Sequence, residues 1–384
     1  MGLGADRHDG SLATVAVEWT RIGMTGFGGP PAHIALLRQL VVRRKRWMNA
    51  QEFEDANAAC GLLPGPASTQ LAIFCAYRVA GPAGAIVGGL GFIVPAVVLV
   101  IVLSLAFLAQ SPPTWIRGAG AGAGAAVAAV AVHAARGLIG PSFARARADQ
   151  GREFRWGIYI AAGTAAAALL GAYLVLVLLG CGLVELGVQR RPRAATAVAP
   201  IPASLTTGGV GALAWTAFKV GALSFGGGFV IIPLMQSDAV HVYHWMTGSQ
   251  FLNAVALGQV TPGPVVATVA AVGYAAHGVA GGLLAALVAF APSFSFILLG
   301  GGRFEQLRGN AGARAFLDGA GPAAIGAIMG AAILLATELK EGWQFALLGA
   351  AMIALLGLRR GVVRTLLAAG AIGIIAALAG APVP

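Results

Sequence analysis

The sequence predicts an all-α polytopic membrane protein built from two homologous, inverted-topology repeats, with about ten transmembrane helices and two re-entrant or broken helical hairpins. Three observations predict it. Of 384 residues, 58% are hydrophobic and 10% are charged, against roughly 25% charged in a soluble domain; so few charges cannot cover a water-facing surface. Apolar stretches recur along the chain, at 84–108, 118–135, 157–188, 278–302 and 319–336, many reaching the roughly 20 residues that span a bilayer. The third observation is a long internal repeat.

Shifted by 198 residues, the chain aligns with itself without a gap from Arg21/Lys219 to Phe92/Phe290, with about 18 of 72 pairs identical. Phe27-Gly28-Gly29 meets Phe225-Gly226-Gly227, Trp47-Met48 meets Trp245-Met246, and Pro64-Gly65-Pro66 meets Pro262-Gly263-Pro264. Two unrelated apolar segments would match Leu with Val rather than these residues at one offset. The halves are assigned to 11–193 and 206–382.

The loop after the first segment of each half indicates opposite orientations. Residues 38–46 carry five basic side chains, whereas the matched 236–244 carry no Lys or Arg and hold Asp238. Loops rich in Lys and Arg stay in the cytoplasm. The topology that follows takes 12–37 inward, 84–109 outward, 118–136 inward and 157–188 across twice as a hairpin. Segments 54–80 and 252–277 re-enter without crossing, and half two repeats the pattern upside down. Inverted repeats of this kind carry their substrate between them at mid-membrane.

Within each half the Pro-Gly-Pro element is the first candidate site. Pro64, Gly65, Pro66 and Pro262, Gly263, Pro264 cannot lie inside a continuous helix, because each proline removes a donor and clashes with the preceding turn. The second proline of each motif suits the first position of a new helix. The N–H groups of Ala67, Ser68 and Thr69, and their counterparts, are then expected to be unpaired, at a helix end that favours an anion. Ser68, Thr69, Gln70 and Thr268 add polar side chains. A purely structural kink is the alternative, and two motifs at equivalent places weigh against it.

The glycine elements come next. Phe27, Gly28, Gly29 and Phe225, Gly226, Gly227 interrupt the first segment of each half and favour unwound backbone in the membrane. Neither reads as a nucleotide-binding loop. Elsewhere glycine (57) and proline (19) are abundant, and scattered glycines equally mark close helix packing. Arg21 and Lys219 align in the repeat; a cation inside a membrane segment is a candidate anion ligand, with snorkelling as the alternative. Glu18 and Asp55 are candidates for proton coupling.

The formal charge of +11 sits in arginine clusters between apolar stretches, a membrane-loop pattern that argues against nucleic acid. Cys60, Cys75 and Cys181 show no ligand spacing, so neither a metal nor another cofactor is expected. With no cofactor motif and no loop large enough for a catalytic domain, a membrane enzyme is disfavoured.

Phe27-Gly28-Gly29-Pro30, the run from Leu62 to Leu71 (LLPGPASTQL), Phe225-Gly226-Gly227-Gly228 and the run from Gly258 to Pro264 (GQVTPGP) together resemble the bacterial chromate ion transporter family in its long, two-domain form. The resemblance covers essentially the whole chain. It implies a multi-pass protein of the bacterial plasma membrane that exports chromate and confers chromate resistance, with sulfate as the natural analogue. Its partners are then the oxyanion and the lipid bilayer, with a homodimer as one assembly to consider. An oxyanion channel and a sulfate transporter are the competing readings. Pro30-Pro31 standing against Gly228-Phe229 sets the two halves apart.

Overall fold

The computed structural model describes residues 10–148, 151–189, 209–224, 228–300 and 310–383, and all regular elements among them are helical. Helix α1 (Leu12–Thr25) starts at Ser11, whose hydroxyl accepts the Thr14 N–H at 3.2 Å. It ends at Gly26, and after the break at 26–29 helix α2 (Pro30–Arg38) starts on a proline at its first position. A π-helical turn, Gln39–Arg44, extends α2. Helix α3 (Ala50–Cys60) is capped by Asn49. There follow α4 (Ala67–Phe107), α5 (Thr114–Arg147), α6 (Arg152–Ala165) and α7 (Leu174–Gln189). Between α6 and α7 the chain turns at Gly171, with φ +50°, giving the two-legged hairpin expected over 157–188.

The second half has α8 (Val210–Leu223), α9 (Ile231–Gln236) with a π turn at Ser237–Val242, and α10 (Gly248–Val260). A 3₁₀ turn, Val265–Thr268, leads into α11 (Val269–Gly300). Helices α12 (Ala311–Thr337), α13 (Gly342–Met352) and α14 (Val362–Leu378) complete the chain. Helices α1 and α8, the two π turns, and the starts of α3 and α10 all lie 198 residues apart. The same holds for Arg46 and His244, which both adopt positive φ, 54° and 52°.

Helix α4 is not one rod. As a straight helix its 41 residues would run about 60 Å, twice the hydrocarbon core. Ala80 and Gly81 leave helical geometry instead, Gly81 at φ 64°, ψ −158°. The chain doubles back there: a Cβ on Gly89 would stand 3.0 Å from Ile73 Cγ1, a residue about 24 Å away along a straight helix. Helix α11 reverses in the same way at His277 and Gly278, which brings Gly282 against the Ala270 carbonyl. Glu52 in the first turn of α3 pairs with Arg78 near the end of 67–79. Residues 50–79 are therefore a helical hairpin whose tip is 61–66.

The gapless register needs one correction. The reversal points are 197 residues apart, not 198, and at that offset Tyr77, Gly81, Gly84 and Pro95 meet Tyr274, Gly278, Gly281 and Pro292. The cause lies just after the second Pro-Gly-Pro, where four residues are 3₁₀ rather than α. A 3₁₀ helix rises about 2.0 Å per residue against 1.5 Å, so four residues there cover the rise of roughly five in α4.

The halves are interwoven. Helix α5 packs along α14 and α13, while α12 packs along α6 and α7, so each half's long helix seats the other half's last hairpin. Glycine makes this possible. A Cβ on Gly118 would fall 2.5 Å from the Gly373 carbonyl oxygen, and one on Gly122 would collide with the Ala369 carbonyl. Gly122→Leu is therefore expected to force α5 and α14 apart and cut the folded protein in membranes severalfold, read by in-gel fluorescence of a tagged chain.

By length and composition, four helical stretches can cross a bilayer: Ala67–Phe107, Thr114–Arg147, Val265–Gly300 and Ala311–Thr337. On the return limb of α4, Ile86, Leu90, Val94, Val98, Val102 and Leu105 form an exposed apolar stripe at helical spacing, opposite buried Phe92, Ala96 and Val100. An apolar face of that length needs lipid rather than water. The first segment, 12–37, is interrupted where the glycine element was expected to unwind it: the chain breaks at 26–29, ending α1 after 14 residues, and resumes as α2.

Candidate functional site

Each Pro-Gly-Pro opens a helix inside the protein. Pro66 is buried and stands at the N-cap of α4, with Gly65 at φ +115° and no side chain capping the helix. Pro264 is the N-cap of the 3₁₀ turn before α11, after Gly263 at φ +96°, and 261–270 is buried throughout. The open donors are fewer than expected. Thr69 and Gln70 both give their N–H groups to the Pro66 carbonyl at 3.0 Å. That leaves the amides of Ala67 and Ser68, at the positive end of the helix dipole. In the second tip the Thr268 hydroxyl donates to the Val265 carbonyl at 2.7 Å and is occupied by its own turn.

The breaks of the two halves meet. The Gly263 N–H donates to the Gly26 carbonyl at 3.1 Å, tying the second tip to the end of α1. The same carbonyl lies 2.9 Å from His33 Nε2, and His33 Nδ1 lies 3.4 Å from the Ser68 hydroxyl of the first tip. His33 is fully buried and its ring meets Phe92 edge to face at 5.0 Å. Each tip is also seated in the other half: a Cβ on Gly65 would meet the Gly221 carbonyl at 3.2 Å and Ser293 Oγ at 3.6 Å, and one on Gly263 would meet Ala96 at 2.8 Å and the Gly23 carbonyl at 3.5 Å. Residue Val265 lies beside Gly29 and Gly228, the glycines at the two first-segment breaks.

Buried polar atoms collect at these places. Thr69 Oγ1, Gln70 Oε1, Ser224 Oγ, Gln259 Nε2 and Ser293 Oγ are buried without a hydrogen-bond partner among the described residues. Each such group costs about 1–3 kcal/mol when left unmade, and clusters of them mark sites for water or a ligand. Gln70 has a distinct job. Its Nε2 donates to the Pro64 carbonyl at 2.7 Å, so the amide braces the tip and turns only an acceptor inward. Gln259 entered the sequence reading only inside the GQVTPGP run, and Ser293 and His33 did not enter it. The repeat hid them, since it pairs His33 with Ile231 and, at the corrected offset, Ser293 with Ala96.

Other candidates lie elsewhere. The Arg21 side chain is exposed. Lys219 is neutralised by Asp238, Nζ to Oδ2 2.6 Å, with Thr216 donating to the same carboxylate at 2.7 Å. Phe27 is exposed. Glu18 pairs with Arg44, and Asp55 accepts from Gln51 at 2.8 Å one turn earlier; both sit away from the breaks. Phe225, Gly226 and Gly227 lie outside the described residues.

A cavity of about 750 Å³ adjoins the first tip. Gly61, Leu63, Gly65 and Ala67 form one wall, and the C-terminal end of α5, the start of α6 and the first half of α12 form the others. Arg145, Arg152, Arg314 and Asp318 line it, Arg152 pairing with Asp318 at 2.6 Å. Among its described lining residues three are cations and one is an anion, an excess that favours anions nearby.

Long apolar helices, reversed hairpins and helix ends buried at the junction of two repeated halves define a multi-pass membrane transporter. Its family follows from comparison: the chromate transporter family model matches residues 13–186 and 211–375, and the chain belongs to that family. It is 31% identical to the chromate transport protein of Cupriavidus metallidurans, over 85% of this chain and 83% of that one. It is 32% identical to that of Pseudomonas aeruginosa over 86% and 82%, and 28% identical to a probable chromate transport protein of Synechococcus elongatus over 85% of both. No solved structure matches the chain.

Proposed function

We propose that the protein is a secondary transporter that exports chromate across the bacterial plasma membrane and gives chromate resistance. The chromate transport proteins it resembles support the substrate. The observation that carries the mechanism is the meeting of the two proline-opened helix ends with the α1 break, amid buried hydroxyls that lack partners among the described residues. Dianion oxygens would take the Ala67 and Ser68 amides, with the Thr69, Ser224 and Ser293 hydroxyls as further donors. Tetrahedral dianions share this chemistry, so sulfate is expected to compete.

In this reading the halves 11–193 and 206–382 run in opposite orientations, with ten crossings, and the hairpins 50–79 and 248–276 re-enter. The five basic residues of 38–46 then mark the cytoplasm. The arginine-lined cavity lies at the end of α5 that this topology turns to the cytoplasm, the side from which an exporter must collect its substrate. Backbone breaks at mid-membrane are tolerated because protein, not lipid, surrounds them.

The test is radiotracer chromate uptake into everted vesicles holding the protein. Expected is saturable uptake inhibited by sulfate, unchanged in Arg21→Gln because that side chain is exposed. Flux that rises linearly with chromate and never saturates would instead identify an oxyanion channel.

A further inference from the structure

His33 links the α1 break to the first tip. Because the Gly26 carbonyl can only accept, His33 Nε2, 2.9 Å away, must carry a hydrogen; the nitrogen free to titrate is Nδ1. In neutral His33, Nδ1 is an acceptor and takes the hydrogen of the Ser68 hydroxyl 3.4 Å away. In protonated His33, Nδ1–H becomes the donor, Ser68 Oγ accepts, and the hydroxyl hydrogen is released toward the open end of α4. One proton thus adds a positive charge beside the first tip and a donor within it.

Countercharge is scarce there. The carboxylates on helices packed around α2 are engaged elsewhere: Glu18 with Arg44, Glu52 with Arg78, Glu54 with Arg38 at 3.2 Å, and Asp55 with Gln51. The cations of those elements are Arg21 and Arg43, which are exposed, and the same Arg38, Arg44 and Arg78 held in pairs. A charge in such a setting is costly unless an opposite charge arrives with it. A bound dianion is that charge.

We propose that His33 is the proton-coupling residue: it takes up one proton when a divalent oxyanion binds the first tip and releases it when the anion leaves. This rests on the oxyanion reading given above. Proton and anion bind together, so each turnover carries one net negative charge with a dianion. The device is single, because the second half has Ile231 at the equivalent position.

The test uses purified full-length protein in detergent, weakly buffered with an indicator dye, and sulfate as the probe, since sulfate itself takes up no proton near neutrality. Expected is uptake of about one proton per sulfate bound, and affinity rising up to about tenfold per unit fall in pH while free His33 is neutral. In His33→Gln the uptake disappears and the profile flattens, with weak binding retained. His33→Ile, the residue the second half uses, serves if the glutamine variant does not accumulate. Sulfate binding without proton uptake, or an unaltered pH profile in either variant, overturns the coupling alone. Failure of both sulfate and chromate to bind the wild type at any pH removes the oxyanion site, and the coupling with it.

Discussion

Gly65→Ala is expected to abolish chromate transport, a fall of at least about a hundredfold, while leaving detectable protein in the membrane. Gly65 holds φ at +115°, where an L side chain is strained by about 1–3 kcal/mol. The added methyl would also stand 2.8 Å from Gln70 Nε2 and 3.2 Å from the Gly221 carbonyl. The Gln70 amide is the brace on Pro64, so relief by moving it releases the tip. Displacement of about 1 Å at a site that aims donors is enough to lose two orders of magnitude. Gly263→Ala meets the same backbone restriction at φ +96° and a clash with Ala96. Its expected effect is similar, because Gly263 holds the Gly26 carbonyl on which His33 depends. Initial rates in vesicles, normalised to protein abundance, decide the matter.

Much of this architecture is legible in the sequence because it is backbone chemistry. Pro64-Gly65-Pro66 can do little in a membrane except end one helix and begin another, and the glycines at 26–29 have the same force. A repeated motif multiplies the signal. Side-chain placement is less legible. Arg21 and Lys219 align in the repeat, yet one is exposed and the other is held by Asp238, a residue that enters the alignment opposite Leu40 and so carries no signal of pairing. Ser293 looks like any hydroxyl on an apolar helix until the reversal at His277 and Gly278 brings it beneath the opposite tip. His33 is invisible for a related reason: its importance comes from contacts with Gly26 and Ser68, 7 and 35 residues away. The single-residue slip is another case, since no pattern of residues announces a 3₁₀ turn in place of an α turn.

The second large effect concerns Thr69. Its hydroxyl is wholly buried, in the first turn of α4, with no partner among the described residues. Thr69→Val keeps the shape and removes only the polar atom. In a protein whose tip is merely a bend, that exchange relieves a desolvated hydroxyl and is neutral or stabilising. In a protein whose tip holds a dianion, it removes a hydrogen bond to a charged group worth about 1.5–3 kcal/mol, which weakens binding roughly 10- to 150-fold. The stability effect is the same in both cases; only the affinity separates them, and neither reading depends on unfolding.

Equilibrium chromate binding to purified wild type and Thr69→Val, with thermal stability of each measured without the anion, addresses the proline-opened tip most directly. The account predicts that the valine protein melts at the same temperature or higher and binds chromate at least tenfold more weakly. Equal affinity in the two proteins would contradict it, and would leave the buried helix ends as bends in the bundle rather than as the place where the anion rests.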